Sequence, residues 1–202
     1  MKRGALLRSD IFPSALLAIT LQNAPIKRTD QMLKLIITNY GQKLFFNGRL
    51  TYTWPIPQSI MKTTTKELTE KCKVGYRAEH LKSIAQAVYD GKCPNLKELA
   101  QMPFEEARTN LMKLKGIGEY SAEVILPHPE AFPIDIWSAQ IFWRLFFLEE
   151  PMPPKLEAIQ LVRKHAEKRW GKWRRLAFVY VLNDLGNLSK RLGVIFNAHT
   201  HK

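Results

Sequence analysis

The sequence predicts an all-α fold. Three observations carry that expectation: apolar residues recur at helical spacing in almost every segment, strand-type alternation is nearly absent, and no repeat, low-complexity tract or flexible linker interrupts the pattern. With 202 residues, 46% of them hydrophobic and 24% charged, the chain can bury a sizeable core, which excludes a disordered protein. A net charge of +13 and a pI near 9.8 make a polyanion the first partner to consider.

In chain order, the first apolar stretch, Ile11 to Leu21, contains Pro13, Ser14 and Thr20 and is too short to span a bilayer. Lys2, Arg3 and Arg8 before it mimic a signal peptide, but no small-residue cleavage site follows, so an intracellular protein is expected. Gln22-Asn23-Ala24-Pro25 reads as a turn into a second helix, Arg28 to Tyr40. Residues 47 to 65 carry Asn47-Gly48, Pro55, Pro57 and a Thr run, and read as a loop with a short helix after it. A helix opening at Gly75-Tyr76-Arg77-Ala78 places Leu81, Ile84, Ala85 and Val88 on an apolar face.

Further helices are expected over Phe104 to Met112, Glu119 to Leu126, Ile136 to Leu148, Pro154 to Trp170 and Trp173 to Leu185, for about eight to ten in all. Two of them, Ile136 to Leu148 and Trp173 to Leu185, are apolar nearly all round and are expected in the middle of the fold. Between these, Arg163, Lys164, Lys168, Arg169, Lys172, Arg174 and Arg175 form the densest basic stretch, which reads either as a solvated face or as a phosphate contact. Two cysteines, Cys72 and Cys93, are too few for a disulfide framework, a four-thiolate zinc site or an iron–sulfur cluster. His128, His199 and His201 make no ligand set with any acid or thiol, and no Walker loop or dinucleotide fingerprint is present.

The most specific motif is Leu111-x-x-Leu114-x-Gly116-Ile117-Gly118-x-x-x-Ala122-x-x-x-Leu126. Leu111 and Leu114 bury the end of one helix, and Ala122 and Leu126 share one face of the next, so a short turn closes two helices. Gly116 and Gly118 leave the turn amides unshielded for a phosphate, with Lys113 and Lys115 adding charge beside them. Glycines serving only as caps are the structural alternative.

This motif resembles the DNA-binding helix-hairpin-helix, and its surroundings resemble the helix-hairpin-helix superfamily of base-excision DNA glycosylases, in particular the alkyladenine and 8-oxoguanine glycosylases. Phe132-Pro133-Ile134-Asp135 stands where that family carries its catalytic Asp; Thr20-Leu21-Gln22-Asn23 with Ile26-Lys27-Arg28 resembles its early motif, and Gly75-Tyr76-Arg77-Ala78 its "GYRA" segment. The likeness covers about residues 10 to 190 with the motifs in the expected order. It implies one helical glycosylase domain over residues 1 to 202, made of two small helical subdomains flanking a cleft, with the hairpin at about 104 to 126. The β-domain that precedes the helical part in several members and the iron–sulfur loop of another branch have no counterpart in the sequence.

On this resemblance Asp135 is the catalytic carboxylate, although an Asp there is also a favoured N-cap. Gln22 is the plug for the gap left by an extruded base, and Asn23, Lys27, Tyr76, Arg77, Lys113, Lys115, Gly116 and Gly118 contact DNA. Tyr120 occupies the position where bifunctional members place a nucleophilic Lys, which favours hydrolysis alone. Trp137, Phe178 and Tyr180 are candidate walls of the base pocket, one or two of them touching the base, and electron-rich rings favour cationic alkylated purines. Main-chain carbonyls of Met112, Leu114 and Ile117 are placed to hold a monovalent or hard divalent cation; no cofactor is required.

The leading expectation is therefore a monomeric, monofunctional glycosylase that removes a damaged, preferably alkylated purine from double-stranded DNA. An 8-oxoguanine glycosylase, with or without lyase action from a lysine such as Lys113 or Lys115, and a non-catalytic DNA-binding module are the alternatives.

Overall fold

A computed structural model describes residues 11–148 and 150–193. The chain divides into two compact units, the first ending at Pro127 and the second beginning at His128.

The first unit contains α1 (Ile11–Leu21), α2 (Ile26–Tyr40), a ribbon of β1 (Lys43–Phe46) and β2 (Arg49–Tyr52), then α3 (Pro57–Met61), α4 (Thr65–Cys72), α5 (Arg77–Tyr89), α6 (Leu96–Leu99), α7 (Phe104–Met112) and α8 (Glu119–Ile125). Its centre is α1, which buries Phe12, Ala15, Leu16, Ala18 and Ile19 against α2, α5 and α8. Small residues at 15 and 18 let those helices approach closely, and the absence of any charge on α1 removes the desolvation cost of burying it. Thr29 Oγ1 donates to the Thr20 carbonyl (3.1 Å) and so fixes the turn between α1 and α2. The hairpin helices are tied by an ion pair in which Arg108 of α7 lies 3.4 Å from the fully buried Glu123 of α8.

The ribbon takes up the first part of the loop expected over 47 to 65, and the helix α3 lies within the rest. Asn47 and Gly48 both take positive φ (48° and 73°), the geometry of a type I′ turn, and they close an antiparallel pair with Phe46 opposite Arg49. Both thiols are pushed up to about 11 by burial.

The second unit contains α9 (Ile136–Phe147), α10 (Lys155–Trp170), a 3₁₀ turn (Gly171–Trp173), α11 (Arg174–Asn183) and α12 (Leu185–Leu192). Its core joins Phe132, Ile134, Ala139, Phe142 and Trp143 to Ala158, Val162 and Ala166, the last three spaced by four along α10. The expected central placement holds for α9 but not for α11, none of whose residues is buried. Among the described residues one side of α11 has a partner: Phe178, Val181 and Leu182 pack on the core, while Leu176, Val179 and Tyr180 are exposed. Of the basic stretch, Lys164, Lys168, Arg169 and Lys172 are exposed, whereas Arg174 pairs with Glu130 at 3.0 Å.

No described helix is long and apolar enough to cross a membrane. His128 is buried, its Nδ1 accepts from the Glu130 N–H (3.2 Å), and burial lowers its pKa, reinforced by Arg174 and Arg175 against the opposing Glu130. The unfolded chain therefore takes up this proton first, so stability is expected to fall as pH drops below the ordinary value of 6.5. Chemical denaturation from about pH 5 to about pH 8 checks this, and His128→Gln should flatten the slope. His199 and His201 lie outside the described residues.

Candidate functional site

In the first unit the glycine turn between α7 and α8 is built by two backbone bonds, Leu114 N–H to the Leu111 carbonyl (3.0 Å) and Ile117 N–H to the Leu114 carbonyl (3.0 Å). Leu111, Ile117, Ala122 and Leu126 are buried and hold it from beneath. The two glycines are needed for different reasons. Gly116 has φ +87°, and a Cβ added there would lie 2.4 Å from Cγ of His80 on α5. Gly118 has φ −95°, and an added Cβ would meet nothing within 4 Å. Gly118 is the N-cap of α8, a position where glycine is favoured, and among the described residues nothing crowds an added Cβ.

Gln22 is brought to this turn: its Nε2 donates to the Gly116 carbonyl (2.8 Å) and to Ser121 Oγ (2.8 Å). The amide assigned to plugging DNA is thus committed to the hairpin, while its neighbour Asn23 is exposed in the left-handed region (φ 47°). Arg77 is likewise a strut. It is 8% exposed, and its guanidinium donates to the carbonyls of Gln22 and Val74 and stacks 4.6 Å from the Tyr76 ring centroid. Tyr76 remains 55% exposed, edge-on to His80. Lys27, Lys113 and Lys115 are exposed; Lys113 bonds Asn110, and Lys115 lies 3.9 Å from Glu79. Sequence reasoning missed Ser121 and His80. His80 lies one helical turn from Tyr76, a local signal, but Ser121 is joined to Gln22 across 99 residues and has none.

Gln22→Ala removes both bonds to the turn. It is expected to cost about 1–3 kcal/mol, read by thermal or urea unfolding, and Asn23→Ala, which leaves an alanine in the left-handed region, should cost about 1 kcal/mol.

The carbonyls of Met112 and Ile117 receive none of the turn's backbone hydrogen bonds, and that of Leu114 accepts one. These oxygens suit a hard or monovalent cation. Tyr120 is half-buried on α8, a helix with no lysine.

In the second unit Asp135 caps α9. Its Oδ1 accepts from Ser138 N–H (2.8 Å) and from Ser138 Oγ (2.6 Å), and Ser138 Oγ accepts in turn from the Asp135 N–H (2.9 Å). This capping box engages Oδ1 and leaves Oδ2 outside it. The half-buried carboxylate is therefore fixed in orientation with one oxygen available. Trp137 is half-buried with its Nε1 lacking a hydrogen-bond partner among the described residues, Tyr180 is 66% exposed, and Phe178 is a core ring, 5.3 Å from Phe132 and 5.6 Å from Phe142.

No family model matches the chain. It is 24% identical over 180 residues to the DNA-3-methyladenine glycosylase of Bacillus subtilis, covering 85% of this chain and 56% of that protein. It is 25% identical over 157 residues to a probable N-glycosylase/DNA lyase of Methanothermobacter thermautotrophicus, covering 67% and 50%. The 3-methyladenine DNA-glycosylase structure from Archaeoglobus fulgidus superposes with a TM-score of 0.72 at 26% identity, over 96% of this chain and 62% of that one. The chain is thus similar in sequence to two curated DNA glycosylases and superposes on a solved one. It spans about half the length of the curated glycosylases it matches.

Proposed function

We propose that the chain is a base-excision DNA glycosylase that hydrolyses the N-glycosidic bond of a flipped-out, alkylated purine in duplex DNA. The observation that carries this is Asp135, a half-buried carboxylate held by Ser138 with Oδ2 outside the cap. As the bond from C1′ to the base breaks, positive charge develops on the sugar, and a fixed carboxylate stabilises that charge. Water then adds to C1′ and its proton passes to the carboxylate. A purine alkylated at N3 or N7 carries a positive charge and leaves as a neutral base, so its departure needs no acid.

The helix-hairpin-helix supplies the grip: the turn at Gly116–Gly118 meets a phosphate, with Lys113 and Lys115 adding long-range attraction. A cation on the carbonyls of Met112, Leu114 and Ile117 would reinforce that contact. Asn23 enters the gap left by the extruded nucleotide, with Gln22 and Arg77 holding it in place and exposed Tyr76 beside it; Lys27 adds charge at the same turn. Trp137 and Tyr180 are the rings left to face a base, Phe178 being used in the core. Tyr120 in place of lysine supports hydrolysis without strand cleavage. An intracellular setting follows from the substrate.

Incubating excess protein with duplexes carrying an alkylated purine or 8-oxoguanine and chromatographing the released material tests this. Free alkylated base is the expected product; free 8-oxoguanine alone would move the pocket assignment to the oxidised lesion. Duplex binding without base release would leave the chain a DNA-binding module.

A further inference from the structure

The glycine turn and Asp135 leave the densest basic stretch of the chain unused. From Arg163 to Arg175 it carries seven Lys and Arg and one acid, Glu167, and that acid faces Arg174, whose Nη1 lies 3.8 Å from it. Lys168, Arg169 and Lys172 are exposed and make no ion pair among the described residues. Cations in the last turn of a helix meet its unsatisfied carbonyls, which gives Lys168 and Arg169 a role at the end of α10. Lys172 has no such role. It lies in the 3₁₀ turn past the helix, with its Nζ 5.5 Å from the ring centroid of Trp173, itself 57% exposed.

Contacts on either side of these cations fix them at one end of the second unit. Trp170 packs on Phe132 with ring centroids 6.3 Å apart, the Arg174 guanidinium lies 3.0 Å from Glu130, and the Arg175 N–H donates to the Pro129 carbonyl (2.9 Å). Residues 129–132 are the segment that runs into Asp135, and from Phe132 to that residue is at most about 11 Å of chain. Lys168, Arg169 and Lys172 each lie within two residues of Trp170. Their backbone therefore stands less than one turn of duplex, about 34 Å, from Asp135. A carboxylate that reaches C1′ of an extruded nucleotide brings this end of the unit against the duplex, which presents a negative charge about every 1.7 Å of its axis.

We propose that Lys168, Arg169 and Lys172 form a second backbone-binding surface for duplex DNA, separate from the glycine turn and carried by the same unit as Asp135. This surface presupposes DNA as the substrate and adds where the strand is held. Its ligand chemistry is phosphate and not base, since exposed ammonium and guanidinium groups on an open helix end meet the backbone and position it without reading sequence. Each unit then has its own hold on the duplex, the first through the glycine turn and the second through the end of α10. An anionic membrane would meet the same charges, but the duplex is favoured because the cations sit at the end of the unit that presents Asp135.

Fluorescence anisotropy of a labelled, undamaged duplex titrated with the full chain from about 50 to about 200 mM salt tests the proposal and needs no turnover. In Lys168→Gln/Arg169→Gln/Lys172→Gln the slope of log affinity against log salt is expected to be shallower by about 2.7, so its affinity gap to wild type narrows about fortyfold over that range. Removing three exposed cations elsewhere in the unit, in Lys155→Gln/Lys190→Gln/Arg191→Gln, should change the slope by less than about 1, because salt screens charges that touch no phosphate. Lys168→Arg/Arg169→Lys/Lys172→Arg keeps the charge and should keep the wild-type slope, which separates charge from folding. An unchanged slope in the first variant, an equal loss in both neutralised variants, or the same loss in the charge-conserving one would each overturn the proposal. So would lost binding to phosphatidylserine vesicles beside an unchanged duplex slope, the outcome expected of a membrane contact. A shallower slope in the first variant together with no base release by wild type from an alkylated duplex would remove the glycosylase reading and support this surface.

Discussion

Asp135→Asn is expected to lower the rate of base release about a thousandfold while leaving duplex affinity within about threefold. The substitution separates the two tasks that the position combines. Asn is as good an N-cap as Asp, and its Oδ1 can still accept from the Ser138 N–H, so α9 keeps its start and the melting temperature should hold. What Asn cannot supply is the negative charge that meets a developing oxocarbenium ion. Asp135→Ala should lose the charge and the cap together, adding about 1 kcal/mol of destabilisation. Single-turnover base release and urea unfolding of both variants resolve the pair. Equal loss of activity and stability in Asp135→Asn would mean that the residue acts only as a cap.

The two glycines of the turn should respond in opposite ways. Gly116→Ala forces a non-glycine residue to φ +87° and drives a Cβ to 2.4 Å from His80, so the turn or α5 must shift. The strained backbone and the overpacking together should cost about 2–5 kcal/mol, and the Gln22 bond to the Gly116 carbonyl would be disturbed with them. Gly118→Ala is different: its φ is −95° and its Cβ position is empty, so folding stability should stay within about 0.5 kcal/mol. If a phosphate sits against that bare backbone, duplex affinity should nevertheless fall by about tenfold or more. Denaturant titrations combined with fluorescence anisotropy on a labelled duplex check both. Unchanged affinity in Gly118→Ala would make the turn a structural corner rather than a DNA contact.

These contrasts show where the sequence was informative and where it was silent. α1 and α7 occupy the expected ranges because their boundaries are local: Pro25 and the turn before it stop α1, and Gly116 follows closely on α7. The short helix expected after residue 65 is α4, whereas α3 was hidden inside the expected loop because only Ile60 is buried on it. The ribbon was hidden for a related reason. With both faces in water, Lys43–Phe46 and Arg49–Tyr52 need not alternate, and only Asn47-Gly48 marks the hairpin. α11 looked central because periodicity counts apolar residues without knowing whether each face has a neighbour. At the candidate site the glycine turn was legible from type and spacing, whereas Asp135 was singled out by the family resemblance. The Gln22 bond to Gly116, made across 94 residues, could come only from the fold.

The account rests most directly on hydrolysis of the glycosidic bond without cleavage of the strand. Its decisive measurement is strand breakage in an end-labelled duplex bearing one alkylated purine, compared before and after hot alkali. Breaks that appear only after alkali are the predicted result, since base removal leaves an intact strand with an alkali-labile abasic site. Breaks before alkali would contradict the Tyr120 argument and require a lysine nucleophile. An intact strand after alkali, with the duplex bound, would contradict the catalytic assignment of Asp135.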